Sequence, residues 1–206
     1  MRRPATGRAV RQTQEERSTA TRGRLLDATI ECLIDLGYAD TTTTVIAERA
    51  GVSRGAQLHH YPTKAELVAA AVDRLSERMG EELRREAATL PAGGDRVGAA
   101  IDVLWSRFDT PLFLAWIELL VAARTDAVLR ETLRATEARL RRAVRARCRE
   151  VFGPLADGRG FEPAVELTLH LMAGMALERS LSGGRRREAA SLAAWKSLLP
   201  SVLEPR

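Results

Sequence analysis

Apolar residues in this chain recur every three or four positions and nowhere alternate with polar ones, so the pattern asks for helices and excludes a sheet. Leu25, Leu26, Thr29, Ile30, Leu33 and Leu36 draw the first stripe, and Leu67, Val68, Ala71, Val72, Leu75 and Met79 draw another. Glycine and proline punctuate them. Gly37 stands at a natural C′ position, Gly51 closes a short segment, and Pro62 ends another because the residue before proline avoids the α region. Further breaks fall at 91–94, 109–111, 125–126, 153–160 and 183–184. The reading is an all-α fold of about nine helices. They start near residue 16, at 45–50, and after Ser53 for about eight residues. The rest lie at 63–88, 95–108, 111–123, 126–152, 162–182 and 187–199. Thr63 and Glu66 form a capping box that opens the fourth.

Charge divides the chain unevenly. Residues 1–24 carry seven Arg against two Glu, a balance of +5 that equals the net charge of the whole, so the remaining 182 residues sum to zero. Residues 1–14 lack apolar periodicity and read as a disordered basic arm, suited to meeting a polyanion. No apolar run nears the ~20 residues that span a bilayer, and no secretory leader is legible, so the expectation is a cytoplasmic protein without a membrane partner. Cys32 and Cys148 read as small buried hydrophobes.

Three short helices within about 45 residues, joined by a tight Gly51-Val52-Ser53 turn, suit a helix-turn-helix. Ala47 and Ala50 are small enough for two helices to cross closely, and Val52 offers a plug between them. The Thr run 41–44 supplies an N-cap for the second helix. Ser53 caps the third, whose positive end would face phosphate. Arg54, first inside that helix, has the fork to take guanine O6 and N7 together.

Those residues carry a resemblance. Gly37-Tyr38, Thr41-Thr42, Ile46-Ala47, Ala50-Gly51-Val52-Ser53, Gly55, His59-His60-Tyr61-Pro62, Lys64 and Leu67 resemble the DNA-binding domain of the TetR family without a gap over residues 20–72. A weaker likeness to the body of one TetR-like subset runs from Pro111 to Asp126. The resemblance implies a helix-turn-helix domain at 15–62 and a ligand-binding and dimerisation domain at 63–206, linked by helix 63–88. It also implies that Arg54, Gly55, Ala56 and Thr44 face bases, while Thr42, Thr43, Ser53, His59 and Lys64 hold phosphates or set the helix end. Two positions depart from the family pattern. Leu58 replaces a tyrosine, losing a phosphate-binding hydroxyl, and Gln57 fills a core-facing slot. Either the Gln57 amide is satisfied locally, or the helix is rotated enough to expose it. His60 reads as a packed histidine.

The body needs a second site. Segment 162–182 has almost no polar face before Glu178, so it must be buried on every side, in the centre of the fold or against a second copy. By resemblance the last two helices form a homodimer, with Leu167, Leu171, Gly174, Leu192, Trp195 and Leu199 at the interface. Trp105, Phe108, Phe113, Trp116, His170, Met172 and Met175 are the candidates to line a pocket for a small apolar or aromatic effector. The resemblance then implies a repressor that leaves a palindromic operator in double-stranded DNA when the effector binds, helix 63–88 acting as lever. A TetR-like activator, or a helical carrier that never touches DNA, are the alternatives. No Ser-His-Asp, Cys-His, Walker or dinucleotide pattern occurs, and the three histidines have no ligand spacing, so neither catalysis, cofactor nor metal is expected.

Overall fold

The computed structural model describes residues 13–90, 95–182 and 185–203. All but the last two residues of the expected basic arm, and the breaks at 91–94 and 183–184, lie outside them. The described residues form nine α-helices and one 3-10 turn, with no strand among them. In order they are α1 (Gln14–Asp40), α2 (Thr43–Arg49), α3 (Arg54–His60), α4 (Lys64–Ala87), α5 (Arg96–Phe108), α6 (Pro111–Ala123) and α7 (Ala127–Phe152). The 3-10 turn Gly153–Asp157 follows, then α8 (Phe161–Ser182) and α9 (Arg185–Leu203).

Hydroxyl and carboxylate caps set most of the starts. Thr13 and Glu16 make a reciprocal capping box, so α1 begins two residues before the apolar stripe suggests. Thr42 accepts from the Val45 N–H at 3.2 Å, which starts α2 at Thr43 rather than 45. Thr63 and Glu66 form the expected box on α4, and Asp95, Thr110 and Asp126 cap α5, α6 and α7. At its far end α9 runs past the expected stop to Leu203, with Pro200 in its last turn and Leu203 buried.

Packing produces three apolar clusters. One joins Leu25, Leu26, Ala28 and Cys32 of α1 to Ile46 of α2, to Ala50 just beyond its end, and to Leu67 and Ala71 of α4. The first turns of α4 are therefore part of the head's own core. A second lies between head and body, where Leu33 meets Val68 and Val72 of α4, Ala115 and Leu119 of α6, and Leu129 and Leu133 of α7. The third fills the body with Ile101, Leu104 and Trp105 of α5, Val151 and Phe152 of α7, Met172 and Met175 of α8, and Leu199 and Leu203 of α9. No described helix is long and apolar enough to cross a membrane.

Within a single chain α8 is not covered all round. Ala164, Val165, Thr168, Met172 and Ala176 face the core, while Leu167, Leu177 and Leu181 are 54%, 46% and 85% exposed.

Candidate functional site

The head's outer face is made by the first turns of α2 and α3. The Ala56 N–H donates to Ser53 Oγ at 3.2 Å, fixing the start of α3. The Val52 N–H donates to the Ala47 carbonyl at 2.9 Å and its side chain packs on the head core, which holds the turn between the two helices. From α1, Arg24 Nη1 donates to the Gly51 carbonyl at 3.4 Å and braces the same turn.

On this frame Thr42, Thr44, Ser53, Arg54, Gly55 and His59 are exposed, and Thr43 and Ala56 are half-buried. Arg54 does not point freely into solvent. Its Nη1 donates to Thr43 Oγ1 at 3.0 Å and to Thr44 Oγ1 at 2.9 Å, so the three residues form one polar unit. A Cβ placed on Gly55 would meet nothing within 4 Å, so the chain itself gives no reason for glycine there.

Gln57 settles between its two alternatives. It is fully buried, so α3 is not rotated to expose it. Its Nε2 donates to the Tyr61 carbonyl at 2.6 Å, closing the end of α3, while its Oε1 is buried without a partner. An unmet buried acceptor costs about 1–3 kcal/mol, so the local bond offsets only part of the burial. Leu58, 44% exposed, stands beside His59 on the outer side. His60 is half-buried. Burial foremost, then the neighbouring His59 and Arg22, lower its pKa from the ordinary 6.5 and favour the neutral ring.

Lys64 departs from its expected place. The sequence reading gives it a phosphate. Instead its Nζ donates to the Tyr38 carbonyl and lies 3.8 Å from the Tyr38 ring centre, and burial lowers its pKa. The cause lies in α1. Gly37 takes φ +72°, a left-handed turn that interrupts the helix and leaves the carbonyl and N–H of residue 38 to find partners elsewhere. The Tyr38 N–H donates to Glu118 Oε1 of α6 at 2.5 Å, and the Tyr38 hydroxyl to Asp126 Oδ2 at 3.4 Å. Burial and Asp126 together raise the Tyr38 pKa, which keeps that hydroxyl a donor. Lys64, Tyr38, Glu118 and Asp126 thus knit the head to the body.

In the body the expected pocket residues separate. Trp105, Phe108, Phe113, Met172 and Met175 do meet in one apolar cluster, with the Phe108 and Phe113 rings 4.5 Å apart. Trp116 packs instead in the cluster between head and body, and His170 is exposed on α8. Both are corrections to the expected pocket. An enclosed apolar crevice too tight for a water lies beside them, lined by Leu104, Phe152, Phe161, Val165, Thr168 and Leu199 among others, and by none of the seven expected residues. The crevice draws on α5, α7, α8 and α9, whereas the expected residues come from the aromatic stretch 105–116 and from 170–175 of α8.

The expected interface residues divide too. Leu167 and Gly174 are exposed and Leu171 is half-buried. Leu192 and Leu199 are instead buried within the protomer, and the Trp195 Nε1–H donates to Thr168 Oγ1 at 2.9 Å. The outward apolar positions of these two helices are Leu167, Leu177 and Leu181 of α8 and Leu198 of α9.

Residues 25–71 match the family model described as "Bacterial regulatory proteins, tetR family". The chain is 38% identical over 122 residues to an uncharacterized HTH-type transcriptional regulator of Mycobacterium tuberculosis, covering 59% of this chain and 63% of that one. It is 38% identical over 131 residues to the HTH-type transcriptional regulator CymR of Pseudomonas putida, covering 64% of each. The chain thus spans a little under two thirds of these relatives' length. Among solved structures, a transcriptional regulator from Pseudomonas aeruginosa PAO1 superposes with a TM-score of 0.67 at 26% identity over 94% of this chain and 95% of that one. The multidrug binding protein EbrR complexed with ethidium shares the fold, with a TM-score of 0.64 at 22% identity over 89% and 99% of the two chains.

Proposed function

This chain belongs to the TetR family of bacterial regulatory proteins, and from that premise we propose that it is a DNA-binding transcription regulator acting as a homodimer on a palindromic operator. The observation that carries the reading is the outer face of the head: a capped α3 opens on an exposed Arg54, followed by a glycine with open space above it. That face has a donor fork for base edges, hydroxyls for phosphates, and room for close backbone approach. One seven-residue helix reads few base pairs, so a two-fold pair of heads supplies the rest of the specificity. The apolar residues left outside on α8 and α9 are the surface we assign to the partner copy.

The body is the candidate effector domain, and the effector we propose is small and apolar or aromatic. The lining of its crevice supports this, and so does the ethidium-bound EbrR of the same fold. Effector binding opens the closed crevice between α5, α7, α8 and α9 and favours a conformer with the heads misplaced, acting through α4 and the Lys64–Tyr38–Glu118 junction. Such a ligand releases DNA only to the extent that it prefers that conformer. Repression relieved by the effector is the default, because a bound dimer obstructs polymerase.

The test is a gel shift and footprint on the DNA upstream of the protein's own gene, with Arg54→Ala alongside. The wild type should protect a palindrome. Arg54→Ala should lose about 1–3 kcal/mol of binding there and the preference at one base pair of each half-site. Binding that is weak, indifferent to sequence and erased by salt would overturn the regulator reading.

A further inference from the structure

We infer that Thr43 and Thr44 are positioning residues that set which edge of the Arg54 guanidinium meets DNA, so that α2 takes part in base selection through α3. The inference rests on the DNA reading above and deepens it.

The geometry is specific. A guanidinium carries five N–H donors in a rigid plane, two of them on Nη1. Nη1 is engaged by both hydroxyl oxygens, at 3.0 Å and 2.9 Å. The Nε–Nη2 edge remains, a pair of parallel donors matching the O6 and N7 acceptors of guanine. Both hydroxyls stand in the first turn of α2, whose start is fixed by the Thr42 cap, so their position relative to α3 follows from the crossing of the two helices. The holding groups are also neutral. Arg49 is bonded to Asp35 at 2.6 Å and Arg74 to Asp27 at 3.1 Å, whereas Arg54 pairs with no carboxylate among the described residues and keeps its full charge for DNA. A hydroxyl that accepts from Arg54 still has its own O–H to donate to a phosphate oxygen. The side chain is thus held in place before it docks, which reduces the rotamer freedom lost on binding.

This assigns the threonines a different role from direct contact. A phosphate-binding hydroxyl adds affinity for every sequence alike, whereas a hydroxyl that aims Arg54 changes the choice of base. The full-length protein would first be used to enrich binders from a pool of randomised duplexes. Binding would then be measured to the enriched duplex and its single-base-pair variants for the wild type, Arg54→Ala, Thr43→Val/Thr44→Val and Thr43→Ser/Thr44→Ser. Valine keeps the shape of threonine without the hydroxyl, and circular dichroism checks the helices. Thr44→Ala, at an exposed site, serves where the valine pair fails to fold.

The valine pair should lose discrimination roughly tenfold at the same base pair that Arg54→Ala affects and at no other, and the serine pair should retain it. Intact discrimination in the valine pair overturns the inference. Uniform weakening on all duplexes with the base preference intact overturns it too, since that marks the hydroxyls as phosphate contacts. A wild type that enriches nothing over the random pool removes the DNA reading itself, and this inference with it.

Discussion

At the scale of single residues, Gly55 states the competition between folding and binding most plainly. Alanine is about 1 kcal/mol better than glycine inside a helix, and the position has open space for a methyl group. Gly55→Ala should therefore raise the urea midpoint by an amount equivalent to up to ~1 kcal/mol while weakening operator binding. Tighter or unchanged binding would show that nothing approaches the backbone there. Sequence alone made Ser53 and Arg54 legible, because a cap and the residue after it are local facts. It did not reveal Lys64, whose partner is a carbonyl 26 residues away, freed by the turn at Gly37. The core-facing slot of Gln57 was implied by the family resemblance. That its Nε2 would reach the Tyr61 carbonyl and leave Oε1 unmet was not.

Between helices, the backbone of Tyr38 is the point where three elements meet. Its N–H is taken by Glu118 of α6 and its carbonyl by Lys64 of α4. Glu118→Gln keeps the size and removes the charge, so it should lower stability by about 1 kcal/mol, within the range for a hydrogen bond to an ionised group near the surface. Gly37→Ala should cost more. It puts a Cβ at φ +72° and ψ 177°, a region open essentially to glycine, 2.7 Å from Glu118 Oε1, adding a backbone penalty of about 1–3 kcal/mol to the displaced carboxylate. Chemical denaturation of both variants checks the pair, and an unmoved midpoint for Glu118→Gln would mean the contact contributes nothing to holding head on body. Most helices were readable from periodicity because their caps and breakers agree with the apolar stripes. The misplaced boundaries have definite causes. Thr13 to Glu16 is a capping box without an apolar stripe, and α9 continues through Pro200 because burial of Leu203 rewards one more turn.

For the molecule as a whole, the outward leucines of α8 are where the proposed dimer is tested. The periodicity of this apolar helix left two solutions open, a central place in one chain or a face against a second copy. The exposure of Leu167, Leu177 and Leu181 excludes full burial within one chain. Which residues face out depends on how α9 crosses α8, and no spacing rule supplies that. Leu192 and Leu199 turned inward while Leu177, Leu181 and Leu198 remained outside. Placing a charge on the exposed stripe with Leu177→Arg should give monomers in sedimentation at micromolar concentration. It should also weaken binding to a two-half-site duplex far more than binding to one half-site. A variant that still sediments as a dimer would place the contact on another face.

Two thiols lie in separate places, Cys32 inside the head's core and Cys148 inside the body's, both unpaired and buried. Desolvation raises both pKa values, that of Cys148 to about 12, so neither is an effective nucleophile at neutral pH while its surroundings stay closed. The wild-type chain thus carries one built-in chemical clock per half. The rate at which a maleimide captures each sulfur reports how often that half breathes, and comparing the two with and without an effector would tell which half loosens first.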